Sequence, residues 1–166
     1  MNRNVINEYQ MKYNPDHEII LHITRTYDCE FDKIENLEDI KKLIIEIYDL
    51  ENVVEEYSYV IAFDLKMDIL GILPLSHGND DRCIMDAKVI YRFLLLIGAN
   101  QFVLFHNHSS NVMEMSEADA ILTDEIYQAS CFLNIKMLEH IIICKSGTVN
   151  CLEQLRNQEL TLEDVI

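Results

Sequence analysis

The chain contains no tryptophan, only four glycines and two prolines, and 13 lysines and arginines against 29 aspartates and glutamates. Each shortage excludes something. So little glycine and proline rules out a collagen-like or low-complexity chain, and no internal repeat is visible. The scarcity of cations leaves a formal charge of -16 and an isoelectric point near 4.6. Such a surface repels a phosphate backbone, which disfavours sequence-independent binding of nucleic acid. The cysteines, Cys29, Cys83, Cys131, Cys144 and Cys151, are odd in number and form no C-x-x-C pair. They fit buried core thiols in a reducing cytosol better than a disulfide frame or a structural zinc knuckle. No apolar run reaches the length of a membrane span, and the first residues lack the order of a signal peptide. A soluble, cytoplasmic protein with no membrane contact is therefore expected. Composition says nothing about oligomeric state.

What is present is enough apolar material, 49% of 166 residues, to bury one domain core with short extensions. Residues 1–17 are polar without a clear period and read as a loose N-terminal arm. Residues 18–26 are rich in β-branched side chains and read as a first strand. Asn36, with Asp39 three residues on, resembles a capping box for a helix carried by Ile40, Leu43, Ile44, Ile47 and Leu50. Two apolar runs, 57–63 and 69–75, flank a hairpin-like turn. Pro74 places the second run at a sheet edge or at its own end, because proline cannot donate to a ladder. Residues 77–81 read as a loop. Asp86 caps, and Gly98 stops, a helix over 87–97 that is apolar nearly all round and so is expected to be covered on more than one side. After a strand over 101–105, Ser116 opens a helix whose inward stripe is Ala118, Leu122, Ile126, Ala129 and Leu133, with Asn134 as its stop. Strands over 137–144 and 148–152 follow, then an acidic, weakly helical tail over 153–166. Mixed strands and helices of this kind predict an α+β fold, an α/β/α-like sandwich with a mixed sheet flanked by helices.

The chemistry-bearing stretch begins at His106-Asn107-His108. Successive strand side chains alternate faces, so His106 and His108 project together. A polar loop then leads to Ser116 and to Asp119 in the first turn of the next helix. Two imidazoles and one carboxylate make a three-ligand pocket for a divalent ion, with a fourth position left for water. Asp119 also has the position of the third-residue acid of a Ser116 cap, and Ser116 is a good cap in its own right. His140 lies in an apolar strand and reads as a core histidine or a support for the site. No spacing recruits His77, and His17 and His22 have no partners. Asn107 faces away from the two histidines and reads as a tie for the loop. The tripeptide His-Asn-His is not the ββα-metal nuclease motif, whose residues are spread over a longer segment.

From about residue 18 to residue 152 the chain resembles the RadC-like branch of the JAB/MPN metalloprotease family, also called JAMM. The family pattern is a distant glutamate, then H-x-H, seven residues, Ser, two residues and Asp. His106-Asn107-His108, Ser116 and Asp119 keep every interval. Asn between the histidines, the segment around 60–64 and the strand containing His140 are similar to the RadC branch in particular. The resemblance implies a JAB/MPN (cytidine-deaminase-like) architecture over 18–152 and one zinc ion per chain on His106, His108 and Asp119. It implies hydrolysis of peptide or isopeptide bonds in a protein or peptide substrate. The family's glutamate falls on Glu56 by counting back from Asp64, with Glu55 as the neighbouring alternative. Ser116 takes the place of the family's oxyanion donor. Ser109-Ser110-Asn111 stands where the branch has Pro-Ser-Gly, and Asn79 where it has Thr. No helix-hairpin-helix module like that of full RadC proteins is expected before residue 18. The alternatives are a catalytically silent metal-binding module and a RadC-type role associated with DNA repair.

Overall fold

The computed structural model describes residues 3–30, 34–78 and 85–163. Among them run β1 (Arg3–Tyr13), β2 (Ile19–Glu30), α1 (Leu37–Tyr48), β3 (Tyr57–Phe63), β4 (Ile69–His77), α2 (Ala87–Ile97), β5 (Gln101–Asn107), α3 (Glu117–Leu133), β6 (Lys136–Cys144), β7 (Gly147–Asn150) and α4 (Cys151–Glu163). The strands form one mixed sheet in the order β2-β1-β4-β3-β5-β6-β7. β5 and β6 are parallel and joined through α3, whereas β3 is antiparallel to both β4 and β5.

Alternation along the central strands builds two cores. Tyr59, Ile61 and Phe63 of β3, with Val103 and Phe105 of β5, pack against Ile40, Leu43 and Ile44 of α1. On the opposite face Val60, Ala62, Phe102 and Leu104 meet Ile90, Phe93 and Leu94 of α2 and Ile126 of α3. Both faces are covered, so β3 and β5 read as unbroken apolar runs rather than as alternating ones. The α+β sandwich expected from the sequence is the observed architecture. No helix among the described residues is long and apolar enough to cross a membrane.

Local signals set the element ends. Asn36 accepts from the amides of Glu38 and Asp39, while Asp39 reaches back to the Glu35 amide rather than to the cap itself. Asp86 accepts from the Lys88 amide, and Gly98 closes α2 at φ 73°, where a side chain would be strained. Asn134 ends α3 in the same left-handed region.

Several elements differ from the sequence expectation. The N-terminal segment is not a loose arm over 3–13, because it pairs along its length with β2 as an antiparallel hairpin. The turn is closed by Asn14, whose side chain accepts from the Glu18 amide and donates to the Glu18 carboxylate. The strand hid because, among the side chains described over 5–13, only Ile6 is fully buried, with Val5 and Tyr13 exposed, so pairing with β2 supplies what periodicity did not. β4 is an interior strand, with Pro74 just beyond the Glu8–Ile72 pairing to β1, beside an irregularity opposite Ser58 and Tyr59. A bulge tolerates proline as an edge does. Leu95 and Leu96 leave α2 with a solvent-facing apolar side. On α3 the buried positions are Thr123, Ile126 and Ser130, with Ala118 and Leu133 exposed. The last strand ends at Asn150, and Cys151 and Leu152 already belong to α4. Cys29, Cys144 and Cys151 are buried thiols and Cys131 is exposed. Cys83 and the Asn79 position lie outside the described residues.

Candidate metal centre

The site forms where β5 ends and α3 begins. Ser58 of β3 pairs with His106 of β5 in the last rung of their ladder. Glu56 directly precedes β3 and His108 directly follows β5, so the two lie at the same end of this strand pair. Glu56 is nine-tenths buried, and its charge helps to raise the pKa of His108. Glu55 turns the other way. It is exposed, accepts from the Tyr57 hydroxyl at 2.9 Å and pairs with His77 at 2.6 Å. The bend that leads into β3 separates the two adjacent glutamates, one buried and one exposed.

His106 and His108 converge on Asp119. His106 Nε2 lies 3.3 Å from Asp119 Oδ1, and His108 Nε2 lies 3.4 Å from Asp119 Oδ2. Each ring has its other nitrogen committed. His108 Nδ1 donates to the Val112 carbonyl at 3.0 Å. His106 Nδ1 stands 2.9 Å from His140 Nε2, His140 Nδ1 stands 2.7 Å from Thr123 Oγ1, and Thr123 donates to the Asp119 carbonyl at 2.6 Å.

The protons of this relay can be assigned by counting. The single hydroxyl proton of Thr123 goes to the carbonyl, so its oxygen accepts from His140 Nδ1–H. Burial, and then the neighbouring His106, drives His140 down to about 3, so its ring is neutral and Nε2 carries no proton. That nitrogen accepts from His106 Nδ1–H. On both histidines Nε2 is therefore the nitrogen left to hold a proton or a metal ion.

Asp119 serves the helix as well. Its Oδ2 accepts from the Ser116 amide at 3.0 Å and from the Ser116 hydroxyl at 2.6 Å, while Ser116 Oγ accepts from the Asp119 amide. The capping box is complete on one carboxylate oxygen, and Oδ1 lies outside it. Burial alone would raise the Asp119 carboxyl, but hydrogen bonds from His106 and His108 outweigh it and hold the group well below the usual carboxylate range. His108 moves up, chiefly through its bond to Asp119. The Ser116 hydroxyl proton points at Asp119, so reaching a substrate oxygen requires that hydroxyl to rotate.

One candidate ligand atom from each of His106, His108 and Asp119 lies within 4.8 Å of the others. Ligands ~2.0–2.1 Å from a tetrahedral zinc ion lie roughly 3.3 Å apart, close to the 3.3 and 3.4 Å that separate each histidine Nε2 from an Asp119 oxygen, and two imidazoles with a carboxylate are a donor set that suits such an ion. His140 supports His106, His77 belongs to the Glu55 pair, and His17 stacks on Tyr13 in the first hairpin. The altered loop is anchored by Asn111, whose side chain binds the Ser146 amide and hydroxyl. Asn111 adopts φ 59°, a conformation natural to the glycine of the Pro-Ser-Gly turn and tolerated by asparagine. Thr123 was not singled out from the sequence, although its place four residues after Asp119 put it on the same helix face.

A mixed sheet presenting a histidine pair and a helix-borne aspartate beside a buried glutamate defines the class. A family model for the RadC-like JAB domain matches residues 34–157, and the chain belongs to that family. It is similar to a UPF0758 protein of Acinetobacter baylyi, 33% identical over 107 residues, which are 64% of this chain and 40% of that protein. A UPF0758 protein of Clostridium acetobutylicum is 31% identical over 111 residues (67% and 48% of the two chains). One from Thermotoga maritima is 26% identical over 116 residues (70% and 51%). The chain thus spans about half the length of the curated relatives it matches.

Proposed function

We propose that this chain is a metal-dependent hydrolase of peptide or isopeptide bonds, acting on a protein or peptide substrate in the cytoplasm. His106, His108 and Asp119 hold one zinc ion per chain. The observation that carries the reading is the convergence of one ring nitrogen from each histidine and a carboxylate oxygen within 4.8 Å of one another, beside a buried carboxylate at Glu56.

A zinc ion held by His106, His108 and Asp119 would supply Lewis acidity and bring the pKa of an attacking water toward neutrality. Glu56 takes the proton of that water and delivers it to the leaving nitrogen as the C–N bond breaks, so water and amide become acid and amine. Ser116, once its hydroxyl turns from Asp119, donates to the developing oxyanion. His140 and Thr123 keep the His106 lone pair aimed at the ion.

The test is zinc content by elemental analysis, followed by cleavage of peptide and isopeptide-linked substrates. The expected result is about one zinc per chain, with activity lowered about 10²–10⁴-fold to a measurable residue by Glu56→Gln and retained by Glu55→Gln. A purified chain that takes up no added zinc refutes the reading. The bond between Ser116 and Asp119 favours a second reading, a silent metal-binding module. A zinc-loaded chain that cleaves nothing would leave that one standing.

A further inference from the structure

The ladder between β3 and β5 ends one residue early on its main chain, and a side chain completes it. Beyond the Ser58–His106 rung, Asn107 Oδ1 accepts from the Tyr57 amide at 2.8 Å and Asn107 Nδ2 donates to the Glu55 carbonyl at 3.0 Å. Those two backbone groups flank Glu56. The Glu56 carbonyl in turn accepts from the Gly78 amide at 2.8 Å. A primary carboxamide carries the same donor and acceptor as a peptide group, so Asn107 imitates a neighbouring strand across this one residue. Asn107 is 1% exposed, and both ends of its amide are satisfied.

We propose that Asn107 is a positioning residue that holds Glu56 in register with the metal ligands. The proposal rests on the hydrolase reading of the site. Asn107 lies between His106 and His108 on one strand, so the strand that presents both imidazoles also grips the chain on either side of the base. A shift of β5 moves the two imidazoles and the base together, and their spacing is preserved. Other residue types serve less well. Aspartate places an oxygen against the Glu55 carbonyl, and leucine supplies neither hydrogen bond.

The experiment compares Asn107→Ala and Asn107→Asp with the parent chain, each in the presence and absence of Glu56→Gln. The expected result is unchanged zinc stoichiometry and KM with kcat lowered about 100-fold, the scale of a ~1 Å misplacement. In the Glu56→Gln background the same substitutions should remove nothing further, because Asn107 acts through Glu56. A purely structural role predicts the same loss in both backgrounds, and that outcome, or a kcat within about twofold of the parent, overturns the proposal.

Two readouts need no substrate. In zinc-loaded Asn107→Ala the Tyr57 amide should exchange faster, and a crystal structure should show the Glu56 carboxylate displaced with the three ligands in place. If the parent chain cleaves nothing, the hydrolase reading fails and these two measurements alone decide whether Asn107 sets the position of Glu56. Unchanged exchange with an unmoved carboxylate overturns it.

Discussion

Replacing His140 with leucine removes the acceptor that orients His106. His140 is fully buried, 2.9 Å from His106 Nδ1 and 2.7 Å from Thr123 Oγ1. Leucine fills a similar volume, and Thr123 keeps its own bond to the Asp119 carbonyl, so α3 retains its first turns. What is lost is the partner of a buried N–H. An unpaired buried donor costs about 1–3 kcal/mol, which the His106 ring relieves by rotating, at the expense of the aim of Nε2. Removing the group that orients a ligating histidine lowers metal affinity roughly 10–100-fold, equivalent to about 1.4–2.8 kcal/mol, and the two scales agree. Zinc affinity measured by competition with a chromophoric chelator, beside thermal unfolding of the metal-free chain, provides the assay. Thr123→Val should show a smaller loss, since His140 keeps its bond to His106. A dissociation constant for folded His140→Leu within about threefold of the parent would refute the reasoning, because a relay that orients the ligand cannot be removed without cost.

Zinc binding should release protons and weaken as pH falls, since the metal displaces a proton from His108, whose pKa lies above its ordinary value through Asp119, Val112 and Glu56. Titration calorimetry in buffers of different ionisation enthalpy reads that release, and its absence near neutrality counts against the site. In the metal-free chain the raised His108 stabilises fully below its unfolded pKa of about 6.5 and loses that contribution as pH rises through its folded value. The depressed Asp119 contributes above about pH 3.9 and loses its share as pH falls, so the pair favours the fold most between those limits, and zinc should raise the melting temperature most above them. Glu139 Oε1 accepts from the amides of His140 and Leu152, and burial pushes its pKa up. Glu139→Ala should destabilise by about 2 kcal/mol in denaturant melts and speed amide exchange at the start of α4. A Cβ on Gly71 would run into the Tyr9 ring, so Gly71→Ala should cost about 1–3 kcal/mol on a urea melt.

The candidate site was legible in the sequence because its spacing is local. The two histidines, Ser116 and Asp119 fall within 14 residues, and strand alternation followed by a helix start is enough to bring them together. Counting back from Asp64 along the family resemblance selects Glu56 over Glu55, and in the structure Glu56 is buried while Glu55 is exposed. The support around the site was less visible. Thr123 and His140 meet across 17 residues, and Asn107 meets Tyr57 across 50, so no window of sequence contains both partners. β1 was missed for a related reason. Its hydrogen bonds go to β2, while its side chains carry too little apolar pattern to announce a strand. Pro74 misled because the rule for proline admits bulges as well as edges, and only the register shows which applies.

Asp119 Oδ2 sits in the capping box while both oxygens of the same carboxylate face the histidines. An ion held on Oδ1 alone would leave the Ser116 amide its acceptor, whereas one that drew on Oδ2 would compete with the cap and loosen the first turn of α3. On Oδ2, helix onset and cation retention would be opposite pans of one balance. The exchange rates of the earliest α3 amides would then report which oxygen an ion takes, even with no substrate in hand.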